Sequence, residues 1–177
     1  MLVQEGQSVE AGERLAVLEK VRANAGFEES KARVAALKIA LMGAQAESNQ
    51  RVPAYDEETS EYPEFVGAQI DLYNQRKRAL DETKELLEYN LNIAEQQLEI
   101  NERLFIKNDV SQLDVMNAQA KVAEARGKVI EVVNEYLGNS MVEITKYETD
   151  LAVANEKFKE QQNILRHTDI LAPLAGV

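Results

Sequence analysis

Few residues of this chain could carry out covalent chemistry. The sequence contains one histidine, His167, and no cysteine, which excludes disulfides and thiolate metal sites. A Glu-x-x-His metal motif in a helical bundle would need a glutamate where Ile164 stands. No phosphate-binding glycine loop and no paired nucleophile and base are apparent. The sequence therefore predicts a protein that is not an enzyme and that holds no metal.

Residues suited to recognition rather than catalysis cluster between 104 and 111. Asn108 and Asp109 favour a tight turn, Ser111 suits the N-cap of a following helix, and Asp114 could complete an acidic capping box. Hydrogen-bonding groups around apolar anchors suit end-on docking to the helix ends of a partner protein. The candidate contact site is therefore Leu104, Lys107, Asn108, Asp109, Val110 and Ser111. Two simpler interpretations stay open: Ser111 as a plain helix cap and Leu104 as hairpin core.

Three helices are predicted to hold this turn. Apolar residues spaced alternately by three and four predict helices over about 19–48, 64–106 and 111–167, with the turn at 107–110. Between the first two, the acidic stretch NQRVPAYDEETSEYPEF is bracketed by prolines and predicts a loop. The composition also favours long helices, because Trp is absent and only three prolines occur in the whole chain.

The third helix has the most regular pattern. A strict seven-residue repeat predicts a left-handed coiled coil, and it is carried by Met116, Ala123, Ile130, Leu137, Ile144, Leu151, Phe158 and Leu165. A partner seam, apolar near the turn, includes Leu113 and Met141. On the second helix the matching seams include Ile70, Tyr73, Leu80, Leu87, Leu91, Ala94, Leu98, Asn101 and Phe105. A charge at Ile130 is therefore expected to collapse the hairpin.

The helix lengths predict how many helices lie side by side. At 1.5 Å per residue the third helix is ~85 Å long, the second ~65 Å and the first ~45 Å. In an antiparallel hairpin of the last two, the second helix would start about 20 Å short of the chain ends. The first helix would overlap its base. We therefore expect three helices near the chain ends and two near the turn.

Both ends of the chain are β-like. Residues 2–18 alternate in a strand-like way and turn at Gly6 and Gly12. Residues 168–177, TDILAPLAGV, predict one short strand leading into a turn. A single strand cannot pair its backbone alone. Because an antiparallel hairpin brings its outer ends together, the two β-like segments are expected to meet.

These two ends carry a family resemblance. The first resembles the first half of a biotinyl/lipoyl-type β-sandwich and the last resembles the opening strand of its second half, through Val3, Glu5, Gly6, Val9, Gly12, Leu15, Leu18, Ile170, Ala172, Pro173, Gly176 and Val177. A lipoyl-type domain split by a long helical hairpin resembles the membrane fusion proteins, or periplasmic adaptors, of the haemolysin-D type. The resemblance implies a mainly α fold: a three-helix coiled-coil hairpin, 19–167, inserted into a split lipoyl-like sandwich of residues 1–18 and 168–177.

The resemblance also implies a function and partners. Such adaptors link an inner-membrane ABC transporter to a TolC-like outer-membrane channel and work as homo-oligomers, here a hexamer. In the family's tip motif a Leu follows an Arg by four residues and a Ser follows seven further. Leu104 and Ser111 keep that spacing, whereas Ile100 occupies the Arg position. Ser111→Arg is therefore expected to block export. No lysine signature of lipoyl or biotin carriers occurs, so no covalent cofactor is expected.

Two other functions remain as alternatives. A first arm broken by a Pro-bracketed loop resembles the adaptors of type I protein secretion, whereas multidrug-efflux adaptors usually have a plain two-arm hairpin. Secretion is therefore preferred, with drug efflux as the alternative. A structural coiled coil without a transport role would explain the heptads and leave both β-like ends unexplained.

The net charge and the hydropathy of the chain limit which partners it can bind and where in the cell it can work. A net charge of −11 argues against nucleic acid, which requires clustered Lys and Arg, and no small-molecule substrate is indicated. No apolar run approaches the ~20 residues of a membrane span, and Met1 stands directly before strand-like sequence. We expect a piece of a longer periplasmic protein of a Gram-negative bacterium, anchored in the inner membrane through a segment outside this chain.

Overall fold

The fold is mainly helical, which confirms that part of the prediction. The structure is a computed structural model and describes residues 7–12, 14–17, 20–172 and 174–176. Three long helices and two short strands make up the regular structure of these residues: β1 (Arg14–Val17), α1 (Lys20–Ser48), α2 (Pro63–Ile106), α3 (Gln112–Arg166) and β2 (Asp169–Leu171). A short 3₁₀ helix, Thr59–Glu61, lies between α1 and α2.

The chain divides into two compact units. The first contains the chain up to Leu41, the segment Tyr55–Val66 and the chain from Thr145 onward. The second contains Met42–Ala54 and Gly67–Ile144. Each unit contains parts of all three helices, and each is described by itself below.

In the first unit, the two β-like ends pair with each other. β1 and β2 are antiparallel, with Val17 opposite Asp169 and Arg14 opposite Leu171. Further out, the N–H of Val9 donates to the carbonyl of Gly176 at 2.8 Å, and the N–H of Gly176 donates back at 3.0 Å. Each segment therefore satisfies backbone groups that the other leaves free.

The predicted lipoyl-type sandwich is not seen in the described part of the chain, where two paired strands and one isolated bridge are found. Two strands give one small ladder and no second layer to pack against it. Half of the residues that carry the resemblance lie outside the described residues: Val3, Glu5, Gly6, Leu18, Pro173 and Val177. Of the others, Gly12 donates its N–H to the carbonyl of Ala172 at 2.8 Å.

In the same unit, α1 packs closely against α3. The rings of Phe27 and Phe158 lie 5.2 Å apart between centroids. The side chain of Gln161 on α3 lies against Gly26 of α1, because a Cβ at Gly26 would lie 2.7 Å from its Oε1. The predicted heptad positions Leu151, Phe158 and Leu165 are half-buried in this unit, which confirms this part of the α3 seam.

Segment 55–62 is a loop held against α1. The Asp56 carboxylate accepts the N–H of Thr59 at 2.9 Å, and this bond lowers the pKa of Asp56. Thr59 is buried. Lys38 of α1 pairs with Asp56 at 3.3 Å and with Glu58. The predicted loop is therefore held against α1 by the buried Thr59 and by the ion pairs of Lys38.

In the second unit, an ion cluster joins the three helices. Arg76 of α2 donates to both carboxylate oxygens of Glu143 on α3, at 2.8 and 2.7 Å, which raises the pKa of Arg76 above its usual value. Its Nη1 lies 3.3 Å from Glu47 Oε2 on α1, and Ser140 Oγ reaches the same oxygen at 3.3 Å. The Glu47 side chain is only 5% exposed. Its charge is therefore compensated mainly by Arg76.

Also in the second unit, α2 and α3 run antiparallel. The Arg126–Glu95 ion pair, at 3.0 Å, joins them. The predicted α2 seam is confirmed at seven positions whose side chains are half-buried: Tyr73, Leu80, Leu87, Leu91, Ala94, Leu98 and Asn101. The prediction is wrong at Ile70 and Phe105, which are 40% and 43% exposed.

In this unit the predicted α3 seam is wrong from Met116 to Ile130, whereas Leu137 and Ile144 of the same repeat are half-buried and confirm it further along the helix. Met116 and Ile130 are 56% and 55% exposed, and Leu113 and Met141 of its partner seam are exposed too. Between the turn and Tyr136, the buried and half-buried residues of α3 are mainly Val115, Ala118, Val122, Ala125, Val129, Val132 and Tyr136. Burial raises the pKa of Tyr136 to about 12. α3 carries two apolar seams on nearly opposite faces, and α2 packs against the one that the repeat did not favour.

Candidate docking site

The turn between α2 and α3 is closed by backbone hydrogen bonds. The N–H of Asp109 donates to the carbonyl of Leu104 at 3.0 Å, and the N–H of Asn108 donates to Phe105 at 2.9 Å. Asn108 has φ of 61°, in the left-handed region that Asn tolerates better than most residues. This pair of bonds around a left-handed residue is a Schellman motif. It ends α2 and reverses the chain within a few residues.

A capping box then starts α3. The Ser111 N–H donates to Asp114 Oδ2 at 2.9 Å, and the Asp114 N–H donates to Ser111 Oγ at 3.3 Å. The Ser111 hydroxyl also donates to Asp114 Oδ2 at 2.6 Å. These bonds from Ser111 lower the pKa of Asp114. The predicted cap is present, so Ser111 has a structural role independent of any partner.

Because of this capping box, the stability of the α3 N-terminus is expected to depend on pH. Because its folded pKa is lowered, Asp114 adds stability above its unfolded pKa, and this stability disappears as the pH falls through the folded pKa. We expect Asp114→Asn to lower the melting temperature at pH 7, and we expect this effect to shrink as the pH is lowered below the ordinary Asp pKa of about 3.9. Thermal melting followed by circular dichroism measures both. Asp109→Asn removes the same charge outside the box, and an equal effect of this control at pH 7 would contradict the prediction.

The six candidate residues all lie around the turn, but their side chains differ in solvent exposure. Four of them are exposed, namely Lys107, Asn108, Asp109 and Ser111. Leu104 and Val110 are half-buried. Leu104 continues the packed seam of α2, as the simpler interpretation held. It supports the turn more than it offers contact area.

Several apolar residues beside the turn are exposed, although the sequence pattern does not predict an apolar surface there. We name them the tip patch: Phe105, Ile106, Leu113 and Met116, which are 43%, 80%, 64% and 56% exposed. A signal was available, because Leu104, Phe105 and Ile106 are consecutive and cannot all face one side of a helix. The heptad assignment had placed Phe105, Leu113 and Met116 in packed seams.

The residues considered for chemistry form no catalytic group. His167 is exposed, and its Nδ1 lies 2.7 Å from the carbonyl oxygen of Asn163 at the end of α3. Across the part of the chain that the structure describes, no cluster of three or more His, Cys, Asp or Glu could hold a metal ion. Among the same residues, no helix is both long and apolar enough to cross a membrane.

Long helices between paired β-like ends define a class of fold that is already known from solved structures. No protein family model matches this chain, and no curated protein sequence matches it. By structure, the chain is similar to the soluble domain of LipC, a membrane fusion protein of a type I secretion system. The TM-score is 0.60 and the identity 16%, over 99% of this chain and 85% of that chain. The likeness shows a shared fold over nearly the whole chain.

A second solved structure is that of EmrA, a periplasmic adaptor protein. Its identity to this chain is 15%, over 97% of this chain and 59% of that chain, with a TM-score of 0.41. A score at this level does not establish a shared fold.

Proposed function

We propose that this protein is the periplasmic adaptor of a type I secretion system. It would link an inner-membrane ABC transporter to a TolC-like outer-membrane channel for the export of a protein. The observation that carries the proposal is the fold shared with the soluble domain of LipC over 99% of the chain. An adaptor acts by contact rather than by catalysis, so the proposed protein is not an enzyme and needs no cofactor.

The proposal includes a domain arrangement. Residues 1–18 and 168–177 would be parts of one lipoyl-like domain, and 19–167 the helical hairpin inserted into it. Antiparallel pairing of β1 with β2 and the Val9–Gly176 bridge support this arrangement, because they connect the two segments across the insertion. The adaptor would be anchored in the inner membrane and would work in the periplasm as a hexamer.

The turn between α2 and α3 would dock on the outer-membrane channel. Exposed polar groups at Lys107, Asn108 and Asp109 can bond with the ends of partner helices. The apolar anchor would be Ile106, which is 80% exposed and therefore free to be buried by a partner. Burying such a side chain is worth about 1.5–3 kcal/mol. Leu104 would hold the turn in place from within.

Ile106→Glu tests this docking. We expect secretion of the exported protein into the medium to fall at least about tenfold, which corresponds to the loss of ~1.4 kcal/mol of binding free energy. The measurement is the amount secreted by cells whose sole copy of the adaptor carries the variant. Because Ile106 is exposed, its replacement is expected to leave melting and helix content unchanged. Ser111→Arg is a weaker test, since it also breaks the capping box.

The matched control is Val153→Glu. Val153 is also an exposed apolar residue of a long helix, at 68%, and lies in the first unit rather than beside the turn. We expect normal secretion from this variant. Normal secretion by Ile106→Glu would refute tip docking, and equal losses in both variants would show that any added charge is harmful.

A further inference from the structure

A cavity lies beside the ion cluster of the second unit. Its volume is about 490 Å³, which falls within the range of small-molecule sites, about 300–1,000 Å³. We name it the cluster cavity. It is lined by residues of all three helices, among them Glu47 of α1, Arg76 of α2 and Glu143 of α3. None of the six candidate residues at the turn lines it, so it is separate from the docking site.

In the cluster, one guanidinium serves two carboxylates unequally. Both oxygens of Glu143 accept bonds from Arg76, at 2.8 and 2.7 Å. Glu47 has only longer contacts, which reach its Oε2 from Arg76 Nη1 and Ser140 Oγ at 3.3 Å each. Among the described residues, none forms a hydrogen bond with Glu47 Oε1, although this side chain is only 5% exposed. A buried carboxylate oxygen without a donor is rare in folded proteins.

The lining of the cavity carries an excess of negative charge. A third carboxylate, that of Glu135, is exposed and forms no ion pair within the described part of the chain. Three carboxylates therefore stand against one guanidinium, which leaves a net charge of −2. Burial and the negative charge of Glu47 raise the pKa of Tyr136 to about 12, although Arg76 opposes this rise. Arg76 therefore does not cancel the negative potential of Glu47 inside the cavity.

The remaining walls suit an apolar molecule that carries a positive charge. Leu80 and Val132 are half-buried and supply apolar surface, and Tyr136 adds an aromatic ring. An ammonium group near such a ring gains a further attraction from its π face. A metal ion fits less well, because the described residues include no cluster of three or more His, Cys, Asp or Glu that could hold one.

We propose that the cluster cavity binds a small organic cation, an ammonium group attached to an apolar body. The ammonium would donate to Glu47 Oε1, and the body would lie against Leu80 and Val132. An ammonium has three donors and no acceptor, so it suits a buried oxygen that receives no hydrogen bond. An anionic ligand would be repelled by the excess of carboxylates. The inference does not depend on the proposed function, because it uses contacts of the second unit alone.

Three probes that share one body separate charge from shape. They are 2-phenylethylammonium, 2-phenylethanol and phenylacetate, each titrated at pH 7 into the isotope-labelled full chain and followed by nuclear magnetic resonance. We expect the ammonium to bind with a Kd of roughly 1 mM or tighter, which is ordinary for a ligand of this size. The alcohol and the carboxylate should bind at least about tenfold more weakly, because neither supplies a cation to Glu47.

Two variants locate the binding. Glu47→Gln keeps the shape of the side chain and removes its charge. Ala79→Phe fills the cavity without changing the ion cluster, and Ala79 is exposed, so folding is expected to persist. Both should weaken binding of the ammonium at least about tenfold. The control is Glu131→Gln, which removes the same charge from an exposed position of α3 outside the cavity and should leave the affinity unchanged.

Each outcome decides the inference. Absence of saturable binding by the ammonium overturns it, and so does an equal affinity for the alcohol. Unchanged binding by Glu47→Gln or by Ala79→Phe would contradict it as well, because the ligand would then lie elsewhere. An equal loss in Glu131→Gln would show that the acidic chain merely attracts cations. If Glu47→Gln lowers the melting temperature, the result with Ala79→Phe decides alone.

Discussion

An Arg76→Met variant is expected to lose about 3 kcal/mol of unfolding free energy. Arg76 compensates Glu47, whose side chain is 5% exposed, and it holds Glu143 through two hydrogen bonds. Without the guanidinium, Glu47 keeps a single long contact at 3.3 Å to Ser140. A buried carboxylate in that state must be protonated or drawn into water, and either change costs stability. Urea denaturation followed by circular dichroism measures the loss.

A second substitution identifies the cause. Adding Glu47→Gln to Arg76→Met removes the uncompensated charge, and we expect it to restore about half of the lost free energy. If the loss came from the Arg76 stem instead, Glu47→Gln would restore nothing. Glu143→Gln provides a comparison, because the Glu143 side chain is 28% exposed and so less buried than Glu47. It should lower the unfolding free energy less than Arg76→Met does. Equal stability of Arg76→Met and the unmodified chain would show that the cluster contributes nothing.

Val129→Asp and Ile130→Asp are expected to differ strongly although they are neighbours. Val129 is half-buried in the seam that faces α2, whereas Ile130 is 55% exposed. A charge at Val129 loses hydration, so we expect Val129→Asp to cost about 2–3 kcal/mol of unfolding free energy. Ile130→Asp should stay within about 0.5 kcal/mol of the unmodified chain at concentrations where it is monomeric. Thermal and urea unfolding provide both values.

The two variants control for each other. Both introduce the same aspartate into the same helix turn, so helix propensity and added charge are matched and the difference isolates burial. The strict heptad predicts the reverse order, with Ile130→Asp the damaging change. A larger loss for Ile130→Asp than for Val129→Asp would therefore restore the sequence-based seam and contradict the packing seen in the second unit.

Local features near the turn could be predicted from the sequence. The capping box at Ser111 and Asp114 is present because the cap depends on residues three apart and on little else. The Schellman turn at Asn108 is equally local. The seam of α2 could be predicted because its large apolar residues lie mainly along one face, with the exposed Leu86, Tyr89 and Ile93 as exceptions. These features follow from short-range backbone and side-chain chemistry.

The α3 seam shows where prediction failed. Both Val129 and Ile130 belong to seven-residue repeats, and the sequence offered the set containing Ile130 as the longer one. A repeat reveals that a face is apolar, but it does not identify the helix that covers that face. In the second unit α2 covers the Val129 face, and the continuation of the Ile130 face meets α1 only near Met141. The tip patch was missed for the same reason, since Phe105 and Leu113 were assigned to packed seams.

The sequence by itself determined that this protein is mainly helical, that its helices turn at Asn108, and that its two β-like ends require each other. Those properties depend on helix propensity and helix capping, which neighbouring residues determine, and on backbone pairing, which two matching segments determine. Only the tertiary structure decided which apolar faces are packed and which stay exposed. That choice depends on where α1 ends and on the register fixed by Arg76 and Arg126. Since α3 has two apolar faces, either face could be packed, and the positions of the neighbouring helices determine which one is.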